Sequence, residues 1–308
     1  MKDQGSLMFE VNVSDEVATA LAEGRAVVAM ESTIFSHLGL PSPANEEALD
    51  RCETVVRAAG AVPAVTAVFD GVAHVGIDDG SRERVCGPAK KMAERDIPVA
   101  IAQRWEYGAT TVSAALAVAE RAGINVFATG GIGGVHRGAE LTGDVSADLD
   151  AIARRAVVTV SAGAKAFLDL ARTLEYLETA GAPVLGWQTD DFPAFYTQSS
   201  GLNVPHRVDS AEVVAAAYRN RTRADQGMLL AVPIPAADSL DADRLNAALS
   251  AALAECEQQG IRGAAITPFV LERIAAATDG DSLPANLALA EHNAEIAAQV
   301  AVAIAQSN

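Results

Sequence analysis

An α/β fold with a central sheet covered by helices on both faces is the class this sequence predicts, and three observations predict it. Runs of strand length alternate with longer helical patterns along the chain. The strand-like runs are continuously apolar rather than alternating, as strands buried on both faces are. No repeat or linker breaks the series, so a single domain over residues 1–308 is expected, with residues 1–10 read as a tag or a disordered lead.

In chain order, residues 25–30 (RAVVAM) read as a strand and 45–60 as a helix stopped by its glycine. Residues 62–69 and 72–76 flank Asp70-Gly71 and predict a hairpin. Residues 97–103 read as a strand, 110–123 as a helix and 124–129 (INVFAT) as the next strand. A helix over 147–155, a strand over 157–162 (VVTVSA), a helix over 164–181 and a strand over 182–187 (APVLGW) follow. Residues 210–225 form a helix and 228–232 (MLLAV) a strand; helices over 242–260, 268–278 and 284–306 complete the pattern.

Composition removes several classes of function. The chain is 50% apolar and 20% charged, enough for a large core and too well mixed for disorder. No apolar run approaches the ~18 residues of a membrane span, and the N-terminus lacks a signal-peptide pattern. The expected location is the cytoplasm, with no membrane partner. A net charge of −17 argues against nucleic acid, which needs a basic face. A small anionic substrate needs only a local pocket of donors. Cys52, Cys86 and Cys256 are far apart and fit no metal spacing, so they are read as structural. No H-E-x-x-H or G-x-S-x-G occurs, which leaves zinc hydrolysis and serine-triad chemistry without support. Lysine is rare: Lys2, Lys90, Lys91 and Lys165 are the four in the chain.

In open α/β sheets ligands sit beyond the strand carboxyl ends, and four loops there are unusual. In ESTIFSH (31–37) a carboxylate, Glu31, follows a strand directly, well placed for proton transfer or for capping a turn. In YGATTVS (107–113) Gly108 leads to Thr110, Thr111 and Ser113 at an expected helix start, which suits phosphate or ordinary capping. Residues 129–149 carry five glycines within nine residues, without satisfying G-x-G-x-x-G. Arg137 there offers a fork for phosphate or carboxylate, and His136 lies beside it. Asp144 and Asp148 offer oxygens to a hard divalent ion, or cap a helix. In SAGAKAFLDL (161–170) Lys165 follows an apolar strand and a small-residue turn at an expected helix start. Burial and a helix N-terminus both favour the free amine, the nucleophilic form.

Together the stretches AMESTIFSHLGLPSPAN, RDIP, GATTVSAALAVAERAGINVFATGGIGGVHRGAE, DVSADL, AGAK, LDLARTLEYLET, QTDDFPAFY and TPFVLERIAAATDGDSLPAN resemble the pseudouridine-5'-phosphate glycosidase family, whose relatives include the indigoidine-cluster protein. The likeness covers the chain from about Val11 onward. It implies a three-layer α/β/α sandwich with a central mixed, mostly parallel sheet, usually a homotrimer that binds Mn²⁺. It implies an enzyme that makes or breaks the C–C bond between C1 of ribose 5-phosphate and a ring carbon, through an imine between a lysine and ring-opened ribose. By motif match Lys165 is the imine lysine, Glu31 the catalytic acid, Lys91 a second active-site lysine and Asp144 the metal ligand. Lys91, Val112, Ser146, Ala147 and Asp148 match sugar-phosphate contacts, and Asn286 an asparagine of the last helix. Phosphate contact by Thr110 and Thr111 is a reading of helix position instead.

Several positions depart from the family pattern. Trp105, Glu106 and Tyr107 stand before GATTV, Gln198 replaces an arginine, Val232 an asparagine, and His292-Asn293-Ala294 stands for NNA. These departures are expected around the acceptor ring, tilting the reading toward C-ribosylation of an aromatic natural product to give a C-ribosyl phosphate. The alternatives are a housekeeping glycosidase releasing uracil and ribose 5-phosphate, and a sugar-phosphate-binding protein without turnover.

Overall fold

The computed structural model describes residues 9–261 and 266–307; of the expected lead over residues 1–10, residues 1–8 lie outside them, while Phe9 O accepts from Arg121 Nε (3.2 Å). Along the chain run β1 (Val11–Val13), α1 (Asp15–Ala22), β2 (Val27–Met30), α2 (Ala44–Ala58), β3 (Val62–Phe69), β4 (Val72–Val75), α3 (Asp79–Val85), β5 (Lys90–Met92), α4 (Ile97–Ala102), β6 (Tyr107–Thr110), α5 (Val112–Arg121) and β7 (Val126–Ala128). Then come α6 (Ala139–Thr142), α7 (Ala147–Arg154), β8 (Val158–Ser161), α8 (Leu170–Ala180), β9 (Val184–Trp187), β10 (His206–Val208), α9 (Ala211–Arg219), β11 (Met228–Ala231), α10 (Ala242–Gln259), α11 (Ile266–Ala277) and α12 (Ser282–Ala305).

The sheet order is β1-β4-β3-β2-β7-β8-β11-β9-β10, with β6 on β3 and β5 on β6. Every pairing among the described strands is parallel except β3 with β4 and β3 with β6. The sheet is thus mixed and mostly parallel, as expected. β2, β7, β8 and β11 are buried at every residue, which explains their unbroken apolar character. α12 packs on α2, α9 and on β2, β7 and β8; α5 packs on α7 and on β2, β3 and β7. These are the two helical layers. No helix among the described residues is long and apolar enough to cross a membrane. Cys52, Cys86 and Cys256 are free and buried.

Three expected elements are corrected. Residues 97–102 form helix α4, not a strand: Pro98 sits in its first turn, where a missing N–H costs nothing. Tyr107–Thr110 is strand β6, and the helix begins two residues later than the pattern suggested, at Val112. The helix expected from residue 164 begins at Leu170, with Asp169 as its cap. Residues 163–169 are instead laced to the glycine-rich loop, through bridges Ile132–Ala164 and Val135–Asp169. Those bonds use the backbone groups that a helical turn would have needed.

One feature of β3 positions the site. Its first half, Val62–Val65, pairs with β2 in parallel, and from Ala67 to Phe69 it pairs with β6 running the other way. The carboxyl ends of β2 and β6 therefore point at each other across Thr66. The backbone groups left at this junction are met by hydroxyls. Thr66 Oγ1 donates to Met30 O (3.0 Å), Thr110 Oγ1 donates to Thr66 O (2.9 Å), and Ser32 N donates to Thr110 Oγ1 (3.1 Å).

Candidate active site

Beside that junction the carboxyl ends of β2, β7 and β8 bring three loops together. Glu31 is the first residue after β2 and is buried. Thr129, just after β7, donates its hydroxyl to Glu31 Oε1. Lys165, in the loop after β8, is half-buried; its amide donates to Ile132 O (3.1 Å) and its carbonyl accepts from Leu168 N (3.0 Å). From the opposing side β5 presents Lys91, an exposed residue of that strand.

Burial pushes the Glu31 carboxyl up to about 7, against the pull of Lys165, the Thr129 hydroxyl and Lys91 and with the push of Asp148. Lys91 is held below the usual lysine range: protein crowding around its amine acts first, then the charge of Lys165, against Asp148 and Glu31. His136 is lowered by burial and by Lys165 and Lys91, and Asp144 opposes them. Glu31, Lys91, Lys165, Asp148, His136 and Asp144 thus share one electrostatic neighbourhood, assembled from four separate stretches of chain. A carboxyl near neutrality beside an amine suits proton transfer coupled to nucleophilic attack.

Asp148 is buried near the start of α7, whose cap is Ser146. Its Oδ1 accepts from Ser113 N (3.0 Å) and its Oδ2 from Gly133 N (2.9 Å). Each oxygen of Asp148 thus accepts one backbone amide, which ties the start of α5 and the glycine-rich loop to α7. The Ser113 bond also uses one amide of the α5 N-terminus that had been expected to face phosphate. The Thr110 expectation falls: its hydroxyl is fully buried and bonded to Thr66 and Ser32. Thr111 remains available as the cap residue of α5, half-buried, with its hydroxyl 3.4 Å from Ser113 Oγ. Val112 is the buried first residue of that helix, and Ala147 the exposed first residue of α7.

Arg137 is exposed, and its Nε donates to Phe167 O (3.2 Å), which ties the glycine-rich loop to the lysine loop. Asn286 lies on α12 with a buried, unpartnered Oδ1. Asp144 Oδ2 stands 3.8 Å from His136 Nδ1. No three His, Cys, Asp or Glu side chains gather as a cation site among the described residues. One carboxylate with one imidazole suits Mn²⁺ where water or substrate oxygens complete the shell.

The departures from the family pattern lie in separate parts of the fold. Trp105 and Tyr107 lie at the start of β6, whose other end meets the site. Trp105 stacks under Lys90 Nζ at 4.9 Å, and Tyr107 donates to Val85 O (2.9 Å). Gln198 is exposed and donates to Ile234 O (3.3 Å). Val232 is fully buried at the end of β11 with its amide on Ser161 O (2.8 Å), and His292-Asn293-Ala294 lies on α12.

Sequence reasoning missed Thr129, Asn293 and Phe195. Phe195 takes a left-handed backbone, φ 62°, a strained choice for an aromatic residue. Its ring lies where a Cβ on Gly131 would be, so the glycine is needed for close approach. A threonine closing a strand ahead of paired glycines was the available signal for Thr129.

This architecture belongs to the indigoidine synthase A-like family: the family described as Indigoidine synthase A like protein matches residues 16–303. The chain is 49% identical over 304 residues to the pseudouridine-5'-phosphate glycosidase of Herpetosiphon aurantiacus, covering 97% of this chain and 100% of the relative. It is also 49% identical over 304 residues to that of Chloroflexus aurantiacus, covering 96% and 99%. Among solved structures it resembles the prealnumycin C-glycosynthase AlnA in complex with ribulose 5-phosphate, with TM-score 0.89, 40% identity and coverage of 96% and 97%. An indigoidine synthase A-like protein from Thermotoga maritima gives TM-score 0.85 at 34% identity, covering 96% and 97%. With these relatives the chain is an enzyme of the carbon–carbon glycosidic bond.

Proposed function

We propose that this protein is a pseudouridine-5'-phosphate glycosidase, splitting its substrate with one water into uracil and ribose 5-phosphate. The observation that carries the reading is the Glu31 carboxyl, buried beside Lys165 and poised near neutrality. A C–C glycosidic bond has no leaving oxygen to protonate, so acid catalysis alone cannot break it. An amine bonded to C1 of the opened sugar changes this. As the C–C electron pair leaves with the ring carbon, the Lys165 nitrogen lone pair forms the C1 imine, and a proton fills the vacated ring position. Water then releases ribose 5-phosphate and restores the amine. Glu31 moves the protons at the sugar and ring, and Lys91 adds an exposed positive charge, where a phosphate would enter.

Thr111, Val112, Ser146, Ala147, His136, Arg137 and Asn286 complete the substrate cleft in this reading. Mn²⁺ would be held by Asp144, with His136 beside it, and would supply positive charge toward substrate oxygens. A homotrimer is proposed as the assembly. The test is reduction with borohydride in the presence of ribose 5-phosphate. Wild type should gain one covalent pentose phosphate, and Lys165→Ala none; labelling of the variant would move the imine to another lysine, with Lys91 next.

A second reading, C-ribosylation of a larger aromatic, rests on Val232. An apolar side chain there, beside β8, removes a polar group that the family pattern carries. Rapid cleavage of pseudouridine 5'-phosphate favours the first reading. Coupling of ribose 5-phosphate to an electron-rich aromatic, with poor activity on uracil, favours the second.

A further inference from the structure

Asn293 lies on α12, 1% exposed, at the level of the turn that follows β7. Its carboxamide Nδ2 donates to two consecutive carbonyls, Thr129 O (2.9 Å) and Gly130 O (3.2 Å). Its Oδ1 is buried with no partner. An unpartnered carboxamide oxygen carries a desolvation cost, so this orientation of the side chain is set by the two carbonyls it holds. Those carbonyls belong to the Thr129–Gly130 and Gly130–Gly131 peptides, which flank the Gly130 Cα. Holding both fixes the turn at Gly130 and the peptide plane that leaves the Thr129 Cα, and so limits how Thr129 can rotate and where its hydroxyl points. That hydroxyl is the one that meets Glu31 Oε1.

Nearby packing reinforces the arrangement without replacing it. Leu289, one turn earlier on the same helix, touches the place where a Gly130 Cβ would be, at 3.2 Å. Apolar contact limits how far the turn can move. It supplies no donor for the carbonyls.

We infer that Asn293 is a positioning residue for proton transfer: it acts through the Thr129–Gly130 turn to hold a hydroxyl on the catalytic carboxyl, and so sets the pH at which Glu31 gives up its proton. This deepens the proposed function and rests on Glu31 being the proton-transfer group. The charged groups that face Glu31 are Lys165 and Lys91 on the positive side and Asp148 on the negative side; none of them touches Asn293. Loss of the Thr129 hydrogen bond removes an acidifying contact, so Glu31 must titrate at higher pH.

The experiment is a ¹³C titration of the Glu31 carboxyl in the full chain, its signal assigned by disappearance in Glu31→Gln. Wild type, Asn293→Ala, Thr129→Val and the double variant are compared. Asn293→Ala should raise the midpoint in the same direction as Thr129→Val, and the double variant should go no further than Thr129→Val, because both changes act on one contact. An unshifted midpoint in a folded Asn293→Ala overturns the inference, and so do additive shifts. If the alanine variant does not fold, Asn293→Ser keeps one donor for one carbonyl and should give a smaller shift in the same direction; no shift again overturns it. The titration needs no substrate. A protein that fails to cleave pseudouridine 5'-phosphate but shows the shared shift would refute the proposed substrate and leave the positioning role standing.

Discussion

Replacing Glu31 by glutamine should stabilise this protein, and by an amount that depends on pH. Glu31 rises from an ordinary value near 4.5 to about 7 in the fold, chiefly through burial. The native state therefore holds a proton that the unfolded chain has already released between those two values. Stability contributed by the protonated carboxyl is complete below about 4.5, is lost as pH rises toward 7, and is flat above. At 1.36 kcal/mol for each pH unit the loss is about 3 kcal/mol. Glutamine mimics the protonated form and escapes it. Urea unfolding of wild type and Glu31→Gln, at fixed protein concentration, should show a gap that widens by about 3 kcal/mol in favour of the variant between pH 4.5 and pH 8. The constant part of the gap, from packing and from the Thr129 contact, cancels in that difference. A gap that stays constant, or that widens in favour of wild type, would refute the claim that the fold holds Glu31 protonated near neutrality.

Three further outcomes follow from the geometry. Thr110→Val should cost about 1–3 kcal/mol in urea unfolding through its unpaired junction partners, with KM for a phosphorylated substrate unchanged; a large rise in KM would restore a phosphate role. Trp105→Ala should leave the preference between uracil and larger aromatics unchanged in competition assays and cost about 0.5–1 kcal/mol from the lost Lys90 contact; a changed preference would put Trp105 back at the acceptor. After chelation, Mn²⁺ should raise the melting temperature of wild type but not of Asp144→Asn; an equal rise in both would place the ion elsewhere.

Much of the fold was legible because the buried strands advertise themselves. The hairpin at Asp70-Gly71 was read from two turn residues that do take left-handed backbones, φ 52° and 80°. The misread elements share one cause. A short apolar run such as residues 97–102 has no period of its own, and tertiary contacts decide between helix and strand. The loop carrying Lys165 was read as a helix because its residues favour helices. Its backbone instead pairs with residues 132–135, a contact that only the folded chain provides. In the site, charged residues after strands could be found: Glu31 and Lys165 needed only a position in the pattern, whereas the metal role of Asp144, between α6 and α7, came from the family likeness. Asn293 could not be found that way. One of two asparagines in an alanine-rich helix, it looks like any polar residue until the helix is laid against the end of β7.

The junction at Thr66 explains why the chemistry gathers where it does. A sheet whose neighbouring strand reverses direction leaves two sets of strand ends facing each other, and neither can complete the other's ladder. Ser32, Thr66 and Thr110 satisfy the groups closest to the junction, and each is fully buried. One strand further along, β7 and β8 have no strand of the opposite direction beside them among the described residues. Loops of small residues follow there because their backbones must pass close to Phe195, Ser146 and Thr173. The same lack of bulk brings the backbones of these loops to the ends of the strands that carry Glu31 and Thr129. Hydroxyl clustering and glycine clustering are therefore two consequences of one topological event. A variant that weakens the junction, Thr66→Val, should loosen Glu31 together with the ends of β2 and β6, seen as faster amide exchange at Ser32 and Thr110 in the same sample. Exchange that speeds at one of these amides alone would show that the junction does not act as a unit.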